Sequence, residues 1–156
     1  MMIDRLERQV WALTKPREGK IFRTPEVAFH GPVALLIDEE TGSNGEFFAQ
    51  AIKLKKLARL FGKRTWGGSV GIEPHQFLLD GGTVTPPQYG LYGTDRSWLI
   101  EGHGVDPDVV VENVPGEVVR GRDAQLEAGV GYLLDELAKD PHDLPQPPPY
   151  PDKAKR

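Results

Sequence analysis

The chain has 156 residues and a formal charge of −4, with 38% hydrophobic and 27% charged side chains; that suits one globular domain, of a size that buries roughly 70% of its unfolded surface. The acidic balance gives no global basic field for nucleic acid, and no apolar run approaches the ~20 residues that span a membrane. With no cysteine, disulfides and thiolate metal sites are excluded; this fits a reducing compartment, and the expectation is a cytoplasmic protein without a metal.

Met1-Met2 leads straight into Ile3, Leu6, Val10 and Leu13, a spacing that predicts an amphipathic helix over residues 2–13. A start so abrupt implies a chain cut from a longer protein. Thr14 to Gly31 reads as a polar loop broken by Pro16, Gly19 and Pro25. "VALLI" (33–37) lacks polar alternation and predicts a strand buried on both faces, as in a parallel sheet. Phe47, Ala51, Leu54, Ala58 and Phe61 step by four and three, predicting a helix over 46–61. Strand, tight turn and helix make half of a β-α-β unit.

After Gly62, "GKRTWGGSVGI" holds four glycines in eleven residues. Short strands are expected around an Asp80-Gly81-Gly82 turn, before Glu101, and at Val109–Val111. Residues 124–139 predict a second helix with Leu126, Val130, Leu133, Leu134 and Leu137 facing inward. One domain over 1–140 and a proline-rich, extended or disordered tail over 141–156 complete the reading.

The corner Gly42-Ser43-Asn44-Gly45 carries two readings. Ser43 is a helix cap, as serines often are, or it is a nucleophile whose flanking glycines admit a sharp turn and a substrate. In the second reading the helix N-terminus stabilises an oxyanion, and the Asn44 N–H is the natural donor. Spacing alone favours the cap. Of four histidines, His142 lies in the tail and His30 in a loop, and nothing in the sequence aims His75 or His103 at Ser43. Gly67 and Gly68 are either a turn packed under Trp66 or a backbone that approaches a bound peptide. The basic stretch from Lys53 to Arg64 reads as a solvated face, since no aromatic residues interleave with its charges.

Three motifs in order, "LLIDEETGSNGEFF", "LFGKRTWGGSVGI" and "IEGHGVDPDVVVEN", resemble the C-terminal catalytic domain of the tricorn proteases. These belong with the tail-specific, or C-terminal processing, serine peptidases. The closing "QLEAGVGYLLDEL" and "PPPYPDK" are similar too, so the likeness runs over nearly the whole chain and reverses the balance at Ser43. It implies an α/β fold, part of a crotonase-like spiral core. It implies Ser43 as nucleophile, the Asn44 backbone N–H as one oxyanion donor, and Glu101, 58 positions later, as the acid that orients the catalytic apparatus. A peptide substrate and no cofactor follow.

The same resemblance places the general-base histidine and a second oxyanion donor upstream of this chain, so the isolated fragment is expected to be nearly inactive. Lys53 and Lys63 are loose candidates for a Ser–Lys dyad, but the surrounding motif fits the tricorn branch. A catalytically lost peptide- or subunit-binding module is the alternative, and an acyl-CoA enzyme of the crotonase type is a weaker one. A core cut in this way is expected to form homo-oligomers or to associate with the missing upstream half.

Overall fold

The computed structural model describes residues 2–72, 76–152 and 154. They form two compact units, one of residues 33–134 and one of those up to 32 with those from 135 onward.

In the unit that holds the N-terminal segment, the predicted twelve-residue helix is cut short. Only α1 (Met2–Leu6) is helical, and Ala12–Thr14 is strand β1, paired antiparallel with β2 (Phe22–Thr24) inside the predicted loop. The Trp11 N–H donates to the Thr24 carbonyl at 3.1 Å, and the Thr14 and Thr24 hydroxyls bond at 2.8 Å. Cross-strand bonds of this kind override a helical spacing that packing does not support.

The other unit opens with the expected parallel pair. Strand β3 (Ala34–Ile37), helix α2 (Asn44–Lys55) and strand β4 (Arg59–Gly62) form a β-α-β crossover, in register from Ala34↔Arg59 to Ile37↔Gly62. The predicted helix over 46–61 overruns α2, because Lys56 turns left-handed at φ 53° and ends it. Phe61 therefore lies on a strand, where Leu60 and Phe61 are buried, and its place in the helical stripe is a coincidence of spacing. Strand β3 sits at the sheet edge with Leu36 exposed and Ile37 buried, so it is not covered on both faces.

Strand β5 (Gly71–Ile72) follows, then the hairpin of β6 (Gln76–Phe77) and β7 (Thr83–Val84) around Asp80-Gly81-Gly82, then β8 (Pro87–Tyr89), antiparallel to β5. Strand β9 (Val109–Val110) returns parallel to β4, giving the sheet order β3-β4-β9. Asp108 locks this return, its carboxylate accepting the Leu60 N–H at 2.8 Å. Helices α3 (Pro115–Val118) and α4 (Ala124–Lys139) close the order.

Helix α4 has the predicted bounds but another face inward. Gln125 and Gly129 are buried, whereas Leu126, Val130, Leu134 and Leu137 are exposed. The helix comes close to β3: a Cβ on Gly129 would stand 3.1 Å from Leu36 Cδ2, and Tyr132 packs on Phe61 at 5.3 Å between ring centroids. A small residue at the contact allows that approach, and a leucine stripe would not. No helix or strand occurs among the described residues from 141 on.

Candidate active site

The corner between β3 and α2 is built from short polar contacts. Asp38 accepts from the Glu40 N–H, the Thr41 N–H and the Thr41 hydroxyl at 2.9–3.1 Å, which tightens the turn ahead of Gly42. Ser43 then adopts φ 47°, ψ −116°. Non-glycine residues avoid this region, and holding one there costs about 1–3 kcal/mol. A serine that served only as a cap would sit in the extended region instead. Ser43 and Glu46 form a capping box, in which the Ser43 N–H donates to Glu46 Oε2 at 3.1 Å. The Glu46 and Phe47 amides both donate to the Ser43 carbonyl. The Asn44 N–H, first in α2, has no acceptor among the described residues and lies at the positive end of the helix.

Glu46 has no exposed surface. Its Oε1 accepts from the Thr65 hydroxyl and the Gly67 N–H, both at 2.6 Å, and its Oε2 accepts from the Gly68 N–H at 3.1 Å as well as from Ser43. Thr65, also buried, accepts from the Val105 N–H at 2.7 Å and so ties the segment to the core beneath it. Gly67 is left-handed at φ 87°, and a Cβ there would meet the His103 and Gly104 amides at 3.0 Å. A Cβ on Gly68 would run into the Trp66 six-membered ring at 2.4 Å, and one on Gly42 would meet the same ring at 3.0 Å. The Trp66 indole thus lies against both glycines at the corner, with 70% of its surface exposed. Gly67 and Gly68 thus form a turn packed under an indole, with both amides held by Glu46.

Glu101 follows Ile100, whose φ of 70° is an outlier for a β-branched residue. Its Oε2 accepts from the Ser69 N–H at 2.7 Å, the Val70 N–H at 2.8 Å and the Ser69 hydroxyl at 3.3 Å. The two backbone donors hold the exposed carboxyl below the ordinary glutamate value. Glu101 borders an apolar cleft lined by Val70, Tyr89, Leu91 and Trp98.

The structure therefore links Ser43 to Glu101 through Glu46 and residues 67–70, and no hydrogen bond joins a described histidine to Ser43. His30 and His142 stack edge to face at 4.9 Å, and His103 bonds Asp106 at 2.9 Å; His75 lies outside the described residues. The lysines weighed for a dyad are engaged elsewhere. Lys53 donates to the Asp106 carbonyl at 2.5 Å and lies 3.7 Å from Asp108, and Lys63 bridges Glu39 and Glu112. The sequence reading gives no site role to Glu46, Thr65 or Ser69. Glu46 was within reach of it, since Ser-x-x-Glu at a helix start is a capping-box pattern.

No group of metal-ligating side chains occurs among the described residues, and no helix there is long and apolar enough to cross a membrane. A strained serine at a strand-to-helix corner, with a free amide beside it and an anchored carboxylate in the same bonded network, has the layout of an acyl-transfer site. The chain matches the model of peptidase family S41 over residues 5–111 and belongs to that family. It is 34% identical to the tricorn protease of Thermoplasma acidophilum over 148 residues, 95% of this chain and 14% of that protein. It is likewise 34% identical to tricorn protease homolog 1 of Streptomyces coelicolor, over 93% of this chain and 14% of that one. A crystal structure of the tricorn protease superposes with a TM-score of 0.80 at 34% identity, over 88% of this chain and 13% of that chain. A peptidase of Parabacteroides merdae superposes with a TM-score of 0.56 at 27% identity, over 69% of this chain and 33% of that one. The chain thus spans about 14% of the length of the curated relatives it matches.

Proposed function

We propose that this chain is the nucleophile-bearing portion of a tricorn-like serine peptidase, and that its α/β core is part of a crotonase-like spiral. The observation that carries the reading is the Ser43 corner. Its backbone is strained, its own amide is taken by Glu46, and the next amide, Asn44, is free. Ser43 Oγ attacks the carbonyl carbon of a peptide bond, and the Asn44 N–H receives the developing oxyanion. The amine leaves with a proton, and water releases the acyl group. The proton transfers need a base, which comes from residues outside these 156 and is oriented with the help of Glu101. The exposed Leu126, Val130 and Leu134 on α4 support association with such residues or with a second copy.

Treatment of the full-length protein, which supplies the base, with a phosphonofluoridate, followed by peptide mapping, tests the nucleophile. The expected product is a phosphonyl ester on Ser43, formed with loss of fluoride and missing from Ser43→Ala. Modification elsewhere, or none, counts against the reading. Robust Ser43-dependent peptide cleavage by the purified 156-residue chain overturns the placement of the base.

A further inference from the structure

We propose that Glu46 is a positioning residue for the nucleophile: its buried carboxylate fixes the left-handed backbone of Ser43 and pins Gly67 and Gly68 against the same corner. The proposal rests on the reading of Ser43 as nucleophile. Its ground is the convergence of four donors, from Ser43, Thr65, Gly67 and Gly68, on a side chain with no exposed surface. No lysine or arginine pairs with Glu46 among the described residues, so these dipoles alone compensate its burial.

The chemistry selects glutamate. A carboxylate is acceptor-only and can take two donors on each oxygen. Glutamine at this position sets an NH2 group against two of the four donors. Aspartate is one methylene short of spanning from the first turn of α2 to the Thr65–Gly68 segment. A hydrophobic residue leaves the donors buried without partners. The helix does not need this side chain merely to start, because the Ser43 carbonyl already takes the Glu46 and Phe47 amides.

Two consequences bear on the reaction. The bond to Glu46 removes the Ser43 amide from the set of oxyanion donors and leaves Asn44 to serve. It also ties the nucleophile to the stretch whose next two amides, Ser69 and Val70, are held by Glu101. The spacing between nucleophile and orienting acid is thus fixed by one buried side chain and not by the loops around it.

The test compares the wild-type 156-residue chain with Glu46→Gln and with Leu60→Val, a variant that trims the core. Nuclear magnetic resonance reads the Ser43, Gly67 and Gly68 amides and the Ser43 φ coupling in the 156-residue chain, and a phosphonofluoridate reads Ser43 reactivity in the full-length protein carrying the same substitutions, at equal folded fraction. In the wild type the Ser43 amide exchanges slowly with solvent, although it precedes the first turn of a helix. In Glu46→Gln the three amides shift together, the coupling changes, and modification slows by about tenfold or more, equivalent to a barrier rise of ~1.4 kcal/mol. Leu60→Val leaves the amides in place and the rate within about twofold. Unchanged amides and rate in Glu46→Gln overturn the proposal, as does equal slowing in Leu60→Val. If Glu46→Gln does not fold, the wild-type exchange decides: a Ser43 amide as fast as one in an unstructured peptide overturns it. If wild-type Ser43 is never modified, the peptidase reading fails instead, and the amide measurements still judge Glu46.

Discussion

Glu46 and Glu101 divide four consecutive backbone N–H groups between them: Gly67 and Gly68 donate to the first, Ser69 and Val70 to the second. One acid is buried on a helix and the other is exposed after a left-handed isoleucine. Between them they hold the segment in place without a regular strand or helix over residues 67–70. The shape of the segment is thus set by side chains 21 to 32 positions away in sequence.

The strain at Ser43 predicts an unusual stability ranking. Ser43→Gly accommodates φ 47° without penalty and is expected to be about 1 kcal/mol more stable than the wild type, after the larger unfolded-state entropy of glycine is deducted. Ser43→Ala retains the strain and is expected to match the wild type within about 0.5 kcal/mol. Both lose phosphonofluoridate modification at residue 43. Urea unfolding with matched slopes checks the ranking.

Thr65→Val is nearly isosteric and removes one hydroxyl. The change leaves the Val105 N–H buried without an acceptor and takes a donor from Glu46. A loss of about 2–4 kcal/mol is expected, since each unpaired buried group costs about 1–3. A loss below about 1 kcal/mol means that the network relaxes around the gap.

Two glycines that look alike in the sequence should behave differently. At Gly104 φ is 88°, and a Cβ would stand 2.3 Å from the Thr65 carbonyl oxygen, so Gly104→Ala meets backbone that cannot yield. It is expected to cost about 3 kcal/mol or more. At Gly68 φ is not left-handed, and the clash is with the outer edge of the exposed Trp66 ring. Gly68→Ala therefore swings the indole aside at a cost of about 1 kcal/mol, with a change in Trp66 fluorescence in a Trp11→Phe, Trp98→Phe background. Thermal unfolding and emission spectra read both outcomes.

Acid should release Glu101 late. Its carboxyl is held below the ordinary value of 4.5 by the Ser69 and Val70 amides. A depressed acid contributes its anchoring above the unfolded value and loses it as pH falls through the folded one. The Ser69 and Val70 amide resonances are expected to titrate together with a midpoint below 4.5, and Glu101→Gln to abolish that titration. A midpoint at or above 4.5 contradicts the anchoring.

Neither Lys53→Met nor Lys63→Met should lower the modification rate of Ser43 by more than about twofold, because both ammonium groups are occupied by Asp106 and Asp108 or by Glu39 and Glu112. A loss of about a hundredfold in either variant revives a Ser–Lys dyad.

The β3-turn-α2 unit was legible because its signals are local: an apolar run, a glycine-flanked corner and a helix period. The bounds of α4 were legible for the same reason, but its inward face was not. Hydrophobic period points to leucines, whereas Gly129 and Gln125 are buried because the helix comes close to the sheet. The end of α2 escaped because Phe61 keeps the helical rhythm by chance. The cut in the first predicted helix escaped because β1 finds its partner ten residues on.

At the site, spacing alone left Ser43 more a cap than a nucleophile, and it was the resemblance to the tricorn proteases that singled out Ser43, Asn44 and Glu101. The tertiary structure decided that Ser43 is strained, that Glu46 is buried beneath it, and that the segment from Gly67 to Val70 hangs between two carboxylates. Those facts depend on which donors meet which acceptors across as many as 32 positions of sequence. Hydrogen bonds act over about 3 Å, so only the folded chain can say which of them form.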